Sequence, residues 1–497
     1  MDGSALAKYD MYIDGEWVPS SSGVYFESDN PYTARPWARV ARGNAADVDR
    51  AVAAARKAYT AGEWPRLTAT RRGALLRKLA DLIADKSKFL AEIEVRDNGK
   101  LYAEMSAQTA YMAQWYYYYA GLADKIEGAV IPTDKPDTFN YTRYEPLGVV
   151  AAIIPWNSPL LLLAWKLAPA LAAGNTVVVK PSEYTSASTL EFMKLVEAAG
   201  LPPGVVNVVT GFGAEVGTPL VEHPHVAKVA FTGSDATGQK IYETAARGLK
   251  RVTMELGGKS PNIVFDDAHV DNAVKGVISG IFAATGQTCI AGSRLLVQES
   301  IHDQFVEKLV ALGKTARMGD PMSLQTQVGP VTNPPQFEKI LKYIDIAKSE
   351  GANPVLGGAR ASRPECGNGW FVEPTVFTGV RNTMRIAQEE VFGPVLSVIP
   401  FKDEEEAIAI GNDVVFGLAA GVWTQNMRRA LVMAEKLQAG TVWINTYRAV
   451  SYLSPFGGYK RSGIGRESGQ EMIKEYLQTK SVWISTATEV PNPFVMR

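Results

Sequence analysis

Two cysteines occur in the 497 residues, and only one has neighbours suited to chemistry. Cys289 lies in IFAATGQTCIAGSR, residues 281–294, among the small or flexible residues Gly286, Thr288, Ala291, Gly292 and Ser293. Residues 274–284 carry apolar side chains at helical spacing, and residues 295–297 read as a buried strand. A thiol between a helix end and a strand, with little bulk around it, is presented to a ligand. Taken alone it is also what a buried small hydrophobe looks like, the usual fate of a free cysteine. Other segments supply chemical partners. A strand at 149–154 ends in Pro155-Trp156-Asn157, and one at 176–179 ends in Lys180-Pro181-Ser182-Glu183. A strand at 229–231 ends in Thr232-Gly233-Ser234, and one at 252–254 ends in Glu255-Leu256-Gly257-Gly258-Lys259. Strand ends of a parallel sheet open on one crevice, so Asn157, Lys180, Ser234 and Glu255 are expected to be neighbours. Each alone would pass as a cap or turn residue.

That crevice suits a dinucleotide. Gly233-Ser234 opening a helix offers backbone N–H groups to a pyrophosphate. Lys180 and Glu183 suit ribose hydroxyls, and the carboxylate would repel a 2′-phosphate, so NAD is favoured over NADP. Gly211-Phe212-Gly213 with Gly217 is a near miss to a dinucleotide glycine motif; its last spacing is one residue too long, and it reads as a loop.

The elements behind these residues follow from periodicity. Residues 12–18 read as a hairpin turning at Asp14-Gly15. Asn44 caps a helix to about residue 59, and further helices span about 69–86, 88–97 and 102–124. The last is rich in aromatics, with tyrosines at 116–119, which read as packing with hydroxyls reaching water, or as a tunnel wall with Tyr111 and Trp115. Residues 138–145 alternate like an exposed strand. From Gly148, short apolar strands at 149–154, 176–179, 205–208, 229–231 and 252–255 alternate with helices, the pattern of a parallel sheet covered on both faces. A second such region follows, with strands near 263–265, 295–297, 395–401, 418–423 and 441–444. The fold class is therefore α/β, with two doubly wound domains and a cleft between them. A lone strand at 480–485 would join 138–145 in a small separate sheet whose edges invite another subunit.

Bulk properties exclude several functions. Apolar content of 46% and charge of 21% are those of a globular protein. A formal net charge of −1, without a long basic run, disfavours nucleic acid and anionic membrane as partners. Two cysteines make no disulfide framework and fit a reducing, cytoplasmic setting. The first ten residues lack the basic and apolar regions of a signal peptide. The most apolar stretch, 160–173, is interrupted by Lys166 and Pro169 and too short to span a bilayer. Four histidines, of which His223 and His225 read as a loop feature around Pro224, and two separated cysteines leave little from which to build a metal site. Cys366 has no motif around it.

The chain resembles the aldehyde dehydrogenase superfamily over nearly its whole length. MELGGKSP at 254–261 matches that family's glutamate motif, and GQTCIAGSR at 286–294 its cysteine motif. IPWN at 154–157, KPSE at 180–183, FTGS at 231–234, EEVFGPV at 389–395 and PFGGYKRSGIGRE at 455–467 match in order, and the spacing from Glu255 to Cys289 is also the family's.

The resemblance implies a Rossmann-like cofactor domain (1–124 and 147–256), a catalytic domain (257–461), a β oligomerisation element (125–146 and 478–497) and a return segment (462–477). It implies that Cys289 attacks an aldehyde, that Asn157 and the Cys289 N–H hold the oxyanion, and that Glu255 activates water. Lys166 and Glu467 correspond to a proton-relay pair. Ile154, Pro155, Trp156, Lys180, Ser182, Glu183, Gly213, Gly217, Phe231, Gly233, Ser234, Leu256 and Gly257 would hold NAD, with Glu390 and Phe392 positioning the nicotinamide and its ribose. A general base argues for hydrolysis over acyl transfer to coenzyme A. The oligomer would be a homodimer or homotetramer.

By the same resemblance, Tyr111, Trp115, Ser158, Leu162, Trp165, Thr288, Ile290, Val450 and Phe456 line the substrate tunnel. They are mostly apolar or aromatic, which suits a medium aliphatic or aromatic aldehyde. Ser158 stands where several relatives carry phenylalanine, which widens the tunnel. An outward Arg448 is solvated surface, the preferred reading; an inward one would bind a carboxylate and favour a semialdehyde acid. A non-catalytic scaffold on the same fold would lack Cys289, Glu255 or Asn157, and all three are present.

Overall fold

A computed structural model describes residues 6–489, 492 and 494. The first five residues and most of 490–497, the end of the expected oligomerisation element, lie outside the described residues. Two large sheets dominate. The first has eight strands, in the order Gly463–Ile464, Arg251–Glu255, Val226–Thr232, Val149–Ile153, Thr176–Lys180, Val206–Val208, Met11–Ile13, Glu16–Val18. Its five central strands are parallel; the flanking ones run antiparallel. Val149–Ile153 and Thr176–Lys180 are buried throughout, which explains the apolar sequence of the first and the Val177–Val179 run of the second. The chain builds outward from Val149–Ile153, first on one side and then on the other. That reversal places a crevice at the carboxyl ends of Val149–Ile153 and its neighbours.

The second sheet has seven strands, Asn353–Leu356, Thr375–Thr378, Val395–Phe401, Arg294–Gln298, Pro261–Val264, Ala419–Trp423 and Thr441–Ile444, parallel except for the first. Sequence periodicity does not reveal Asn353–Leu356 or Thr375–Thr378, each four residues long, nor Gly463–Ile464. Pairing partners far along the chain make them strands.

The helices expected at 69–86 and 88–97 are one helix, Ala69–Asn98. The polar run Asp85-Lys86-Ser87-Lys88 looked like a break, yet Ser87 returns its hydroxyl to the Ala84 carbonyl at 3.0 Å and the helix continues. The buried face runs through Ile83 and Leu90. The helix stops at Gly99, whose φ of +75° is cheap only for glycine. Packed beside it is Tyr102–Leu122, where Tyr116 and Tyr119 are buried and Tyr117 and Tyr118 partly covered. The helix expected at 274–284 is Val270–Phe282.

Leu477–Ser485 runs antiparallel along the whole of Thr138–Pro146, with Val130–Ile131 on the other side. This small sheet exposes Val130, Phe139, Trp483 and Ile484. Among the described residues, no helix is long and apolar enough to cross a membrane.

Candidate active site

The thiol is placed by an abrupt turn. Ala284, Thr285 and Gly286 follow the Val270–Phe282 helix with φ of +52°, +56° and +69°, a left-handed run that reverses the chain. Surrounding anchors hold it: Glu104 Oε1 accepts from the Ala284 N–H at 2.8 Å, Thr285 Oγ1 donates to the Gly329 carbonyl at 3.1 Å, and Gln287 Oε1 accepts from the Thr332 N–H at 3.0 Å. A Cβ on Gly286 would overlap the Gly393 carbonyl. Cys289 then faces a pocket of about 120 Å³ that Asn157, Leu162, Leu256, Gly257, Glu390 and Phe392 also line. Burial pushes its thiol up to about 12, and the Glu255 and Glu390 carboxylates add to the rise.

Asn157 donates one Nδ2 hydrogen to the Gln287 carbonyl at 2.9 Å. An amide nitrogen has two hydrogens, so this bond orients the group and leaves the second free for an oxyanion. Glu255 ends its strand beside Thr232, is 4% exposed, and has no protein partner for either carboxylate oxygen. Burial first and the Glu467 charge second push its carboxyl well above the usual range, against the pull of Lys166 and Arg466. Lys166 Nζ donates to Glu467 Oε1 at 2.5 Å and to Thr232 Oγ1 at 2.6 Å, with both charged side chains fully buried.

A cleft of about 560 Å³ adjoins this pocket at the crevice of the eight-stranded sheet. Ile154, Pro155, Trp156, Lys180, Ser182, Glu183, Gly213, Gly217, Phe231, Gly233 and Ser234 line it. Lys180 Nζ lies 3.3 Å from Glu183 Oε2, and burial lowers its pKa. Ser234 caps the Asp235–Arg247 helix, accepting from the Thr237 N–H at 3.3 Å. Gly213–Gly217 is a helical turn rather than the loop the sequence suggested. Glu390 Oε1 accepts from the Gly258 N–H at 3.0 Å, and a Cβ on Gly257 would lie 2.5 Å from Glu390 Oε2, so a side chain there would push that carboxylate aside. Phe392, at φ +60°, packs edge-on against Trp156 and is steadied by Gln336, whose Nε2 donates to its carbonyl at 2.9 Å. Gln336 was not among the expected residues; nothing in its local sequence marks it.

On the other side of the thiol is an aromatic wall. Tyr111, Trp115, Trp165 and Phe456 follow one another at ring distances of 5.3, 5.8 and 5.0 Å. Leu162 and Ile290 belong to the same apolar cluster, and Val450 packs against it. Thr288 is partly buried beside the thiol in the chain. Tyr452 completes the wall, contacting Tyr111, Trp115 and Tyr118, and was missed because it lies in an irregular loop. Ser158 is occupied: its Oγ accepts from Lys100 Nζ at 2.7 Å and from Gln108 Nε2 at 3.4 Å. Lys100 is 3% exposed, and burial brings its pKa down to about 8. Arg448 Nη1 donates to the Ser279 carbonyl at 3.2 Å. Cys366 is buried far from this site among Met318, Val328, Ala361 and Phe371.

Residues 17–482 match the model of the aldehyde dehydrogenase family. An Aspergillus niger aldehyde dehydrogenase is 48% identical over 473 residues, covering 95% of this chain and 94% of that one. A (Z)-2-((N-methylformamido)methylene)-5-hydroxybutyrolactone dehydrogenase from Acinetobacter baylyi is 47% identical over 495 residues, 99% of this chain and 100% of the relative. The crystal structure of a Staphylococcus aureus betaine aldehyde dehydrogenase in complex with NAD+ superposes with a TM-score of 0.96 at 43% identity, covering 98% of this chain and 97% of that one. This chain belongs to the aldehyde dehydrogenase family.

Proposed function

We propose that this enzyme oxidises an aldehyde to the carboxylic acid by covalent catalysis at Cys289, with NAD as the oxidant. The observation that carries the reading is the convergence of a thiol and a preoriented amide at one pocket, with the buried Glu255 carboxylate near enough for its charge to raise the thiol. The cleft fits NAD: Gly233 and Ser234 open a helix toward it, and Gly257 leaves room for Glu390 where a side chain would block it. Lys180, Ser182 and Glu183 would hold the ribose, and Glu390 and Phe392 the nicotinamide end. When bound, NAD accepts the hydride from the aldehyde carbon.

The residues act in order. Cys289 attacks as thiolate and forms a hemithioacetal; a thiol held near 12 needs its proton removed at that moment, and Glu255 is the base whose charge it senses. The free N–H of Asn157 and the Cys289 backbone N–H stabilise the oxyanion, each worth about 3 kcal/mol in such sites. Oxidation leaves a thioester on Cys289. Glu255 takes a proton from water, which attacks the thioester and releases the acid. Its two partnerless oxygens leave it free for that water.

The wall of Tyr111, Trp115, Trp165, Tyr452 and Phe456 supports a medium aliphatic or aromatic aldehyde. A second reading rests on Lys100: a buried ammonium on Ser158 would favour a chain with a carboxylate or hydroxyl near its carbonyl end. NADH formation over a panel of aliphatic, aromatic and ω-carboxylate aldehydes tests both, with Cys289→Ala and Lys100→Met beside the parent. Turnover that survives Cys289→Ala would overturn the mechanism, and preference for the ω-carboxylates, lost in Lys100→Met, would select the second reading. The division into cofactor, catalytic and oligomerisation parts given above is supported by the two sheets and the separate edge sheet.

A further inference from the structure

On the mechanism just proposed, Glu255 collects a proton in a place with no water-facing side. Its nearest charged neighbours, Lys166 and Glu467, are fully buried. They can take the proton but cannot shed it. We propose that the relay pair Lys166 and Glu467, which the family resemblance already implies, passes the proton on along the back of the eight-stranded sheet, through a file of polar side chains, to Lys228 and out to solvent at Glu475.

The file follows from strand register. Thr232 pairs with Glu255, Ala230 with Thr253 and Lys228 with Arg251. Alternate residues of a strand share a face, so Lys228 and Thr232 point the same way, as do Arg251, Thr253 and Glu255. The intervening Val229, Phe231 and Met254 pack into a different apolar cluster, whereas Ala230 joins the cluster containing Tyr476 and the Pro159–Ala172 helix. That helix carries Lys166, whose bond to Thr232 fixes which face is meant. At about 3.3 Å per residue, Glu255 and the Lys228–Arg251 pair are about 13 Å apart along the strands.

A second observation marks the same path. Both oxygens of Glu255, Glu467 Oε2, Thr253 Oγ1, Lys228 Nζ and the Tyr476 hydroxyl are buried without a protein hydrogen-bond partner. Buried polar atoms are normally satisfied, and unsatisfied ones on residues that share this face of the sheet or pack against it are what a proton-conducting water file requires. Lys228 is fully buried, and its closest carboxylate is Glu475 Oε2 at 4.0 Å, too long for a direct bond. The Glu475 side chain is 39% exposed. Tyr476, the next residue, closes off the other side, with Lys228 Nζ 4.9 Å above its ring.

The charged groups facing Lys228 are Glu475, Glu467, Lys166 and Arg251, and burial outweighs them, bringing its pKa down to about 8. It therefore exchanges a proton near neutral pH. Arg251 is tied to the Leu477 carbonyl at 3.2 Å, and Tyr119 donates to the Gly469 carbonyl at 2.9 Å. Around Glu255 stand Glu467, Lys166 and Arg466. Two protons reach Glu255 per turnover: the Cys289 thiol gives the first before hydride transfer, water gives the second during thioester hydrolysis, and the proton of the new acid returns the departing thiolate to thiol. The second leaves water as the new C–O bond forms and the C–S bond breaks; each passes to neutral Lys228, then to the Glu475 carboxylate and bulk water. No oxidation state changes along the file.

The test uses the native oligomer in weak buffer, with stopped-flow readings of a pH indicator and NADH together. Glu475→Gln is expected to slow proton release and kcat about tenfold, less than direct loss of a general base. KM for aldehyde and NAD should hold, and Glu475→Asp or concentrated imidazole buffer should restore the rate. Lys228→Met should do the same and remove the step near pH 8 from the kcat profile. If Lys228→Met does not fold, Glu475→Gln, at a half-exposed position, decides alone. Parent-like proton release and pH profile in folded Glu475→Gln would overturn the exit. Glu255→Gln separates the two levels. If it turns over at the parent rate, the assigned base is wrong; if it loses turnover while Glu475→Gln behaves as parent, only the exit fails.

Discussion

At the scale of single residues, the site is a set of groups whose environments oppose their resting charge. Burial with Glu255 and Glu390 nearby holds the Cys289 thiol up at about 12. An ordinary cysteine titrates near 8.5, so alkylation of the free enzyme by iodoacetamide should keep accelerating with pH well past 9 instead of levelling off. A plateau near pH 8.5 would show the thiol to be more ionised than this geometry allows. The Glu255 carboxyl is raised chiefly by burial, and it acts as base only when ionised. Turnover should therefore be lost as pH falls through a value above the usual carboxylate range, a limb visible in single-turnover acid release and also in NADH burst formation, since Glu255 takes the Cys289 proton too. Asn157→Ala removes one oxyanion donor and should lower kcat about 10²–10³-fold, with KM little changed. A mainly KM effect would place Asn157 in substrate binding instead.

At the scale of elements, the decisive device is the left-handed run after the Val270–Phe282 helix. Gly286 combines a φ of +69° with contact against the Gly393 backbone, so Gly286→Ala must move one of the two segments. A loss of roughly 2 kcal/mol or more is expected in urea unfolding, together with loss of turnover. Unchanged stability with full activity would mean the turn adapts. The Lys166–Glu467 pair links the Pro159–Ala172 helix to the return segment. Lys166→Met leaves Glu467 buried and unpaired, a change of about 3–5 kcal/mol in such settings. Replacing both partners by apolar residues should recover much of that stability and none of the hydrolysis.

At the scale of the whole molecule, the small sheet of Val130–Ile131, Thr138–Pro146 and Leu477–Ser485 presents apolar side chains to solvent. Trp483 is 58% exposed and Val130 67%. An open strand edge with such residues suits pairing with a second copy of the chain. Trp483→Arg together with Val130→Glu should give a monomer by light scattering, with the active-site thiol still titratable. An unchanged mass would show that this sheet does not hold a second copy.

How much of this was legible beforehand differs from residue to residue. Asn157, Lys180, Ser234 and Glu255 could be grouped from sequence because each follows a short apolar strand, and parallel strands bring their carboxyl ends together whatever the side chains. Cys289 stood out because small residues surround it. Ala69–Asn98 was read as two helices because a polar run on the solvent side resembles a break when the packed face cannot be seen. Lys100, Tyr452, Gln336 and Lys228 had no local signal, since each gains its setting from residues remote in the chain: Ser158, Tyr111 and Trp115, Phe392, and Glu475. Local pattern alone determined the α/β class, the strand-end crevice and the family, because strand periodicity and motif spacing are written in consecutive residues. Only the tertiary structure decided which buried charges face one another, because burial and distance are properties of the packed chain.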